Sequence, residues 1–114
     1  KQYYTLTFGT DLIIDPLHRQ VLSKGSLLKL TRKEFNMLHF LASHPGQVFT
    51  REQLYTRIWG CDSDFNVDES VRSHIKFLRR KLASSGKEYI QTVWGIGYRF
   101  APQERDTASK IALR

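Results

Sequence analysis

The spacing of apolar residues changes twice along the chain. From Tyr3 to Lys29 short β-favouring runs recur: Tyr4-Thr5-Leu6-Thr7-Phe8, Leu12-Ile13-Ile14, Gln20-Val21-Leu22 and Ser26-Leu27-Leu28. Gly9, Asp15-Pro16 and Lys24-Gly25 separate them. Glycine tolerates positive φ and proline presets a turn dihedral, so this stretch predicts a small antiparallel sheet. The spacing then becomes helical. Thr31 with Glu34 forms a capping box, and Leu30 with Phe35 the matching hydrophobic staple. Thr50 with Gln53, and Phe49 with Leu54, repeat the device. The first helix carries Phe35, Leu38, Leu41 and Ala42 on its apolar side and must stop at Ser43-His44-Pro45-Gly46. The second runs from Arg51 to Trp59, with Leu54 and Ile58 four apart, and ends at Gly60. A third begins near Asn66, whose side chain is placed to cap it with Glu69 three residues on, and runs to about Ser84. Its apolar stripe is Val71, Ile75, Leu78 and Leu82, a helical spacing. After Gly86 the β-runs Tyr89 to Val93 and Tyr98 to Phe100 flank Trp94-Gly95-Ile96-Gly97, which reads as a hairpin. Residues 1–100 are therefore expected to form one domain. Residues 101–114, opening Ala101-Pro102 without sustained periodicity, are expected to be a flexible tail.

Composition narrows the partners. The chain has 114 residues, enough for one modest core, and a formal charge of +7. Its pI near 9.8 favours nucleic acid or an anionic membrane surface. Aliphatic runs such as Leu12-Ile13-Ile14 fall far short of the roughly 20 residues that span a bilayer. A lone cysteine, Cys61, precludes an internal disulfide and fits a cytoplasmic setting. A start at Lys1 rather than Met suggests a piece of something longer.

The third helix concentrates charge: Arg72, Lys76, Arg79, Arg80 and Lys81 give five cations and no acid between residues 71 and 81. Helical geometry puts Glu69, Arg72, Ser73, Lys76 and Arg80 opposite the apolar stripe, on a face open to a groove. A solvated basic face would look the same. The order of elements says more, because two capped helices, a basic third helix and a β-hairpin make a winged helix-turn-helix, an α+β fold. In such a fold, phosphate contacts set register while a few side chains read base edges.

Several stretches resemble, in order and spacing, the OmpR/PhoB-type effector domain of two-component response regulators. They are Leu30 to Phe35, Thr50 to Leu54, Ile58-Trp59-Gly60, Val71 to Leu82 and Gln91 to Phe100, and the likeness covers about residues 4–100. The resemblance implies a four-stranded N-terminal sheet, three helices and a C-terminal hairpin wing. It implies a bacterial transcription regulator that binds double-stranded DNA, with the third helix in the major groove and the wing at the minor groove. Arg51, Trp59, Ser70, His74, Lys76 and Arg79 lie where the family contacts the backbone, and Arg72, Ser73 and Phe77 where it reads bases. Arg80 joins them on the open face, and the wing tip from Trp94 to Tyr98 follows the minor groove. Affinity is expected to rest on Lys76, Arg79 and Arg80. Phe77 and Trp94 stand where relatives often have Arg. Phe77 can instead meet a thymine methyl, and Trp94 can pack on sugar or on a neighbouring protomer.

The resemblance also implies dimers on tandem half-sites and a sensor kinase acting through a receiver domain absent from this chain. It further implies that the acidic loop with Asp62, Ser63, Asp64 and Phe65 contacts RNA polymerase. From the residues alone, Asp68 and Glu69 equally serve the helix dipole. Trp59 reads more readily as a core aromatic than as a contact, His74 equally as a half-buried packing residue, and Tyr98 also as wing core. Gly95 and Gly97 read as turn formers.

Other chemistries fit poorly. Asp62-x-Asp64-x-Asn66-x-Asp68 imitates half a calcium loop, but Val67 stands where glycine is needed and Ser73 where the bidentate Glu belongs. His18, His39, His44 and Cys61 lack metal-ligand spacing. Neither cofactor nor metal is expected, and no catalysis. The alternative to DNA binding is a winged helix used as a protein-interaction module, favoured by Phe77 and Trp94 on the same face.

Overall fold

The computed structural model describes residues 4–9, 11–60, 66–83, 86–101 and, as backbone only, 108–112. Its first sheet contains β1 (Tyr4–Phe8), β2 (Leu12–Asp15), β3 (Gln20–Ser23) and β4 (Ser26–Leu27). Alternate residues turn inward: Leu6 and Phe8, Leu12 and Ile14, Val21 and Ser23. The antiparallel register sets Leu6 opposite Ile14, Phe8 opposite Leu12 and Ile14 opposite Val21, so these side chains share one face. Between β3 and β4, Lys24 at φ 50° and Gly25 at φ 82° are the two left-handed residues that a two-residue hairpin turn requires.

A fifth strand, β8 (Ala108–Ala112), pairs along β1, with Tyr4 opposite Ala112 and Phe8 opposite Ala108. The sheet order is thus β4-β3-β2-β1-β8. Regular structure here differs from the tail expected over residues 101–114. An edge strand offers a row of unpaired N–H and C=O groups that an extended segment completes through its backbone, so apolar periodicity need not announce it.

Both capping boxes form. Thr31 Oγ1 accepts from the Glu34 N–H at 3.2 Å while Glu34 Oε1 accepts from the Thr31 N–H at 2.9 Å, opening α1 (Arg32–Ala42). Thr50 and Gln53 repeat this at 3.0 and 2.8 Å to open α2 (Arg51–Trp59). The two residues before α2 form a short strand, β5 (Phe49–Thr50), which the sequence reading misses because only two residues pair. The last helix, α3 (Val67–Leu82), buries Val71, Ile75, Leu78 and Leu82 as its spacing predicts. Its start differs from expectation. Asn66 adopts a left-handed backbone with φ 50° and its side chain makes no cap bond; the Asn66 carbonyl accepts from the Ser70 N–H instead. At the other end the helix stops at Leu82, with Ala83 as its C-cap.

The hairpin consists of β6 (Ile90–Val93) and β7 (Gly97–Phe100), and β5 pairs with β7 to make a second sheet in the order β5-β7-β6. Gly97 faces Thr50 in this pairing. A Cβ there would run into the Phe49 carbonyl and come within 2.9 Å of Thr50 Cα, so Gly97 permits a close approach of two chains. Where the sheets meet the helices, Phe8 and Phe100 rings lie 4.7 Å apart and Tyr89 stacks on Phe100 at 5.5 Å.

One charged group crosses this core. Glu34 is buried, and besides closing the α1 cap its Oε1 lies 2.6 Å from Lys81 Nζ near the end of α3. Burial acts to raise the Glu34 pKa. The Lys81 hydrogen bond and charge, with the Thr31 N–H, outweigh it and hold the carboxyl below its ordinary 4.5. A carboxyl depressed in the folded state stabilises the fold above its unfolded-state pKa and loses that contribution as pH falls through the folded value. Glu34→Gln keeps a cap acceptor but not the charge. With Lys81 partly open to solvent, it is expected to lower stability by about 1–3 kcal/mol near neutral pH, and by progressively less on acidification below pH 4.5. Urea unfolding of both proteins across that range measures this, and a difference that stays constant in acid would refute the charged pair.

Candidate nucleic-acid interface

The cations of α3 divide by direction. Arg72, Lys76 and Arg80 are exposed, as is Glu69, and the three cations pair with no carboxylate among the described residues. Phe77 is 42% exposed beside them, with the Arg80 guanidinium 5.9 Å from its ring centre. Ser73 lies half-buried at the edge of this face. Lys81 turns inward to Glu34. Arg79 turns to the hairpin: its Nε donates to the Ile90 carbonyl at 3.1 Å and a terminal nitrogen to Thr92 Oγ1 at 2.7 Å. Its guanidinium also lies 5.7 Å from the Tyr98 ring centre. Arg79 therefore braces the wing against α3, a role that sequence spacing did not reveal.

A second group ties α2 to α3. Trp59 is half-buried, stacks on Tyr55 at 5.0 Å with planes 6° apart, and meets His74 edge-on at 4.7 Å. His74 Nδ1 lies 2.9 Å from the Ser70 carbonyl. Because a carbonyl only accepts, the proton is on Nδ1. Trp59, Ser70 and His74 are thus brought together as a packed seam, consistent with the structural reading of Trp59. Lys33 adds its ammonium 6.0 Å from the Trp59 ring, a neighbour that the sequence reading did not single out.

At the start of α2, Arg51 Nε donates to Asp68 Oδ1 at 3.0 Å. Hydrogen bonding to that carboxylate raises the Arg51 pKa further. Asp68 so links the first turns of α2 and α3, beside its expected place near a helix N-terminus. Tyr98 is buried in the wing, opposite Thr92 and Phe49 in the sheet. The hairpin tip is the reverse. Its turn closes with the Ile96 N–H on the Val93 carbonyl at 2.9 Å and has Gly95 at φ 80°. Trp94 is 88% and Ile96 53% exposed. Ile96 thus lies exposed within the tip segment Trp94 to Tyr98. A recess lined by Thr50, Arg51, Glu52, Asp68, Gly95 and Ile96 sets the tip beside the N-terminal ends of α2 and α3.

The result is a continuous surface: the start of α2, the open face of α3 and the wing tip. The loop residues Asp62, Ser63, Asp64 and Phe65 lie outside the described residues. Among the described residues no group of three or more His, Cys, Asp or Glu side chains is arranged to hold a metal ion, and no helix is long and apolar enough to cross a membrane.

Residues 24–100 match the family described as "Transcriptional regulatory protein, C terminal". The phosphate regulon transcriptional regulatory protein PhoB of Klebsiella pneumoniae is 41% identical over 91 residues, which cover 79% of this chain and 39% of that protein. The transcriptional regulatory protein YclJ of Bacillus subtilis is 47% identical over 83 residues, covering 72% of this chain and 36% of YclJ. The chain therefore spans less than half the length of these relatives. Among solved structures, the Klebsiella pneumoniae RstA DNA-binding domain in complex with the RstA box is similar, with a TM-score of 0.75 and 40% identity. The likeness covers 87% of this chain and 98% of that one.

The bracing role of Arg79 has a measurable consequence. Arg79→Ala leaves the Ile90 carbonyl and Thr92 without their charged donor and is expected to cost about 2 kcal/mol of stability. Hydrogen exchange should quicken in β6 and β7 more than in β2 and β3. Uniform protection across both sheets would show that Arg79 does not hold the wing.

Proposed function

The chain belongs to the OmpR/PhoB-type family of transcriptional regulatory protein C-terminal domains, and from that premise we propose that it binds duplex DNA sequence-specifically to control transcription. In this reading α3 enters the major groove with Arg72, Ser73, Lys76, Phe77 and Arg80 towards the bases and adjacent phosphates. The observation that carries it is the partition of charge on α3. Among the described residues three cations stand open without a carboxylate partner, while Arg79 and Lys81 hold the helix in place. A merely solvated helix has no need of that division. Arg51, next to the N-terminal amides of α2, is placed for a phosphate once it leaves Asp68. Trp59, Ser70 and His74 set the angle between α2 and α3, and Tyr98 and Arg79 set that of the wing.

The domain acts as the output half of a two-component response regulator in the cytoplasm. Phosphorylation of a receiver domain by a sensor kinase controls it, and it works as a dimer on tandem half-sites. The segment around Asp62, Ser63, Asp64 and Phe65, rich in acid, is the surface offered to RNA polymerase. No catalytic step belongs to this function.

Fluorescence anisotropy with labelled duplexes at several salt concentrations tests the DNA reading. Binding is expected to weaken with a log–log slope near −0.9 for each phosphate neutralised. Lys76→Ala should weaken every duplex alike and flatten the slope by about 1, whereas Arg72→Ala should alter preference among sequences by about 1–3 kcal/mol. Absence of binding to any duplex at low salt would instead promote the protein-interaction reading, which the exposure of Phe77 and Trp94 favours.

A further inference from the structure

The most exposed large apolar side chain of the described residues is Trp94, with Ile96 next to it across Gly95. An indole in water at the end of a hairpin contributes nothing to the core, and the wing holds together without it. β6 and β7 pair through Val93 and Gly97, Tyr98 and Phe100 fill the interior, and Arg79 supplies the brace. The tip nevertheless has a defined place, closed by the Ile96 N–H on the Val93 carbonyl. β5 ties β7 to the start of α2, and Gly95 and Ile96 line a recess together with Asp68 of the first turn of α3. A flat indole and a branched aliphatic side chain are thus presented on the surface that carries Arg72, Lys76 and Arg80, which pair with no carboxylate among the described residues.

Position restricts what they meet. With α3 in a major groove about 12 Å wide, the next feature beyond one phosphate strand is the minor groove, about 6 Å wide. That width admits the edge of an indole. Chemistry restricts it further, because tryptophan offers a single N–H donor and no charge, which makes it a poor phosphate ligand. What it offers is a flat apolar area of about 150–250 Å². Apolar side chains in minor grooves gain by packing on sugars and by prying apart base steps, and this bends the duplex away from them. The steps that yield most readily are pyrimidine–purine steps, TA above all.

We propose that Trp94, supported by Ile96, is an apolar wedge that reads the deformability of DNA in the minor groove, so that the preferred duplex carries a flexible pyrimidine–purine step about half a helical turn from the bases under α3. This rests on the DNA reading above and adds a determinant of specificity to it. Trp94 selects by the ease of unstacking, at a step where no hydrogen bond is made to a base.

Two duplexes of about 30 base pairs test it, one alternating T and A and one with an uninterrupted A-tract. Both show the same minor-groove hydrogen-bonding pattern, but they differ in stiffness. The wild-type chain is expected to favour the alternating duplex by about tenfold. Trp94→Ala should reduce that preference to within about twofold. Trp94→Arg should bind both duplexes but lose the preference, since it restores charge without a wedge. Subtracting the Trp94→Ala emission spectrum from that of the wild type isolates the Trp94 indole, whose fluorescence should be quenched on the alternating duplex. If the preference survives in Trp94→Ala, or the indole stays open to acrylamide in the complex, the wedge is wrong while DNA binding stands. An indole already shielded without DNA, in proportion to a dimer seen by sedimentation, also overturns it and points to a second copy. If the wild type binds neither duplex at low salt, the DNA reading falls and the wedge with it.

Discussion

The carboxylate of Glu34 sets where α3 can lie, and the outward chemistry depends on that. It closes the α1 cap and receives Lys81 from α3, so one buried group joins the start of the first helix to the end of the last. A buried ion pair adds little net stability over an apolar pair of the same size, because desolvation offsets most of the attraction. Its effect is on register. Sliding α3 by one turn, about 5.4 Å, would strand the carboxylate in the core without its cation, a loss of several kcal/mol. The apolar stripe of Val71, Ile75, Leu78 and Leu82 tolerates small shifts far better. The stripe buries the helix, and the pair chooses its position.

Once α3 is placed, its basic residues fall into two sets. Lys81 is anchored to α1 by an ion pair, and Arg79 to the wing by hydrogen bonds to a carbonyl and a hydroxyl. Arg72, Lys76 and Arg80 are carried outward by the same geometry. The wing gains its position twice, through Arg79 and through the β5–β7 pairing that Gly97 makes possible. Since β5 leads straight into α2, and Arg79 and Asp68 reach from α3 to the wing and to α2, the start of α2, the wing and α3 form one connected frame. Trp59 and His74 close the remaining side. The surface facing outward is thus assembled from three elements whose relative angles are held by side chains that do not face outward.

How much of this was legible follows from the range of each interaction. Thr31 with Glu34, and Thr50 with Gln53, act over three residues, so both helix starts were readable and both formed with the expected bonds. The stripe of α3 is equally local. Asn66 misled because its side-chain type suggests a cap, while its left-handed backbone opens the helix through its carbonyl instead. β5 and β8 are backbone pairings with partners far along the chain, and neither needs an apolar pattern of its own. For the site, charge and order marked the right helix, but the separate tasks of Arg79 and Lys81 depend on groups 11 to 47 residues away. Within a run of similar cations, nothing local distinguishes the anchors from the free charges.

A wing that ends in Trp94 and Ile96 also alters the balance of forces available to this surface. The formal charge of +7 suggests recognition dominated by phosphates, and such binding weakens steeply with salt because each contact displaces a counterion. Only part of that charge stands free on the interface, where Arg72, Lys76 and Arg80 form the open set. Apolar contact releases no counterions and is little affected by moderate salt, so an indole at the tip contributes most where the electrostatic part has been screened. It also depends on duplex shape, whereas a guanidinium at that position would be attracted to any phosphate. The exposed tip therefore favours discrimination between duplexes over general affinity, and the connected frame behind it is what makes that discrimination possible, since a wedge on a loose hairpin would yield before the base step did.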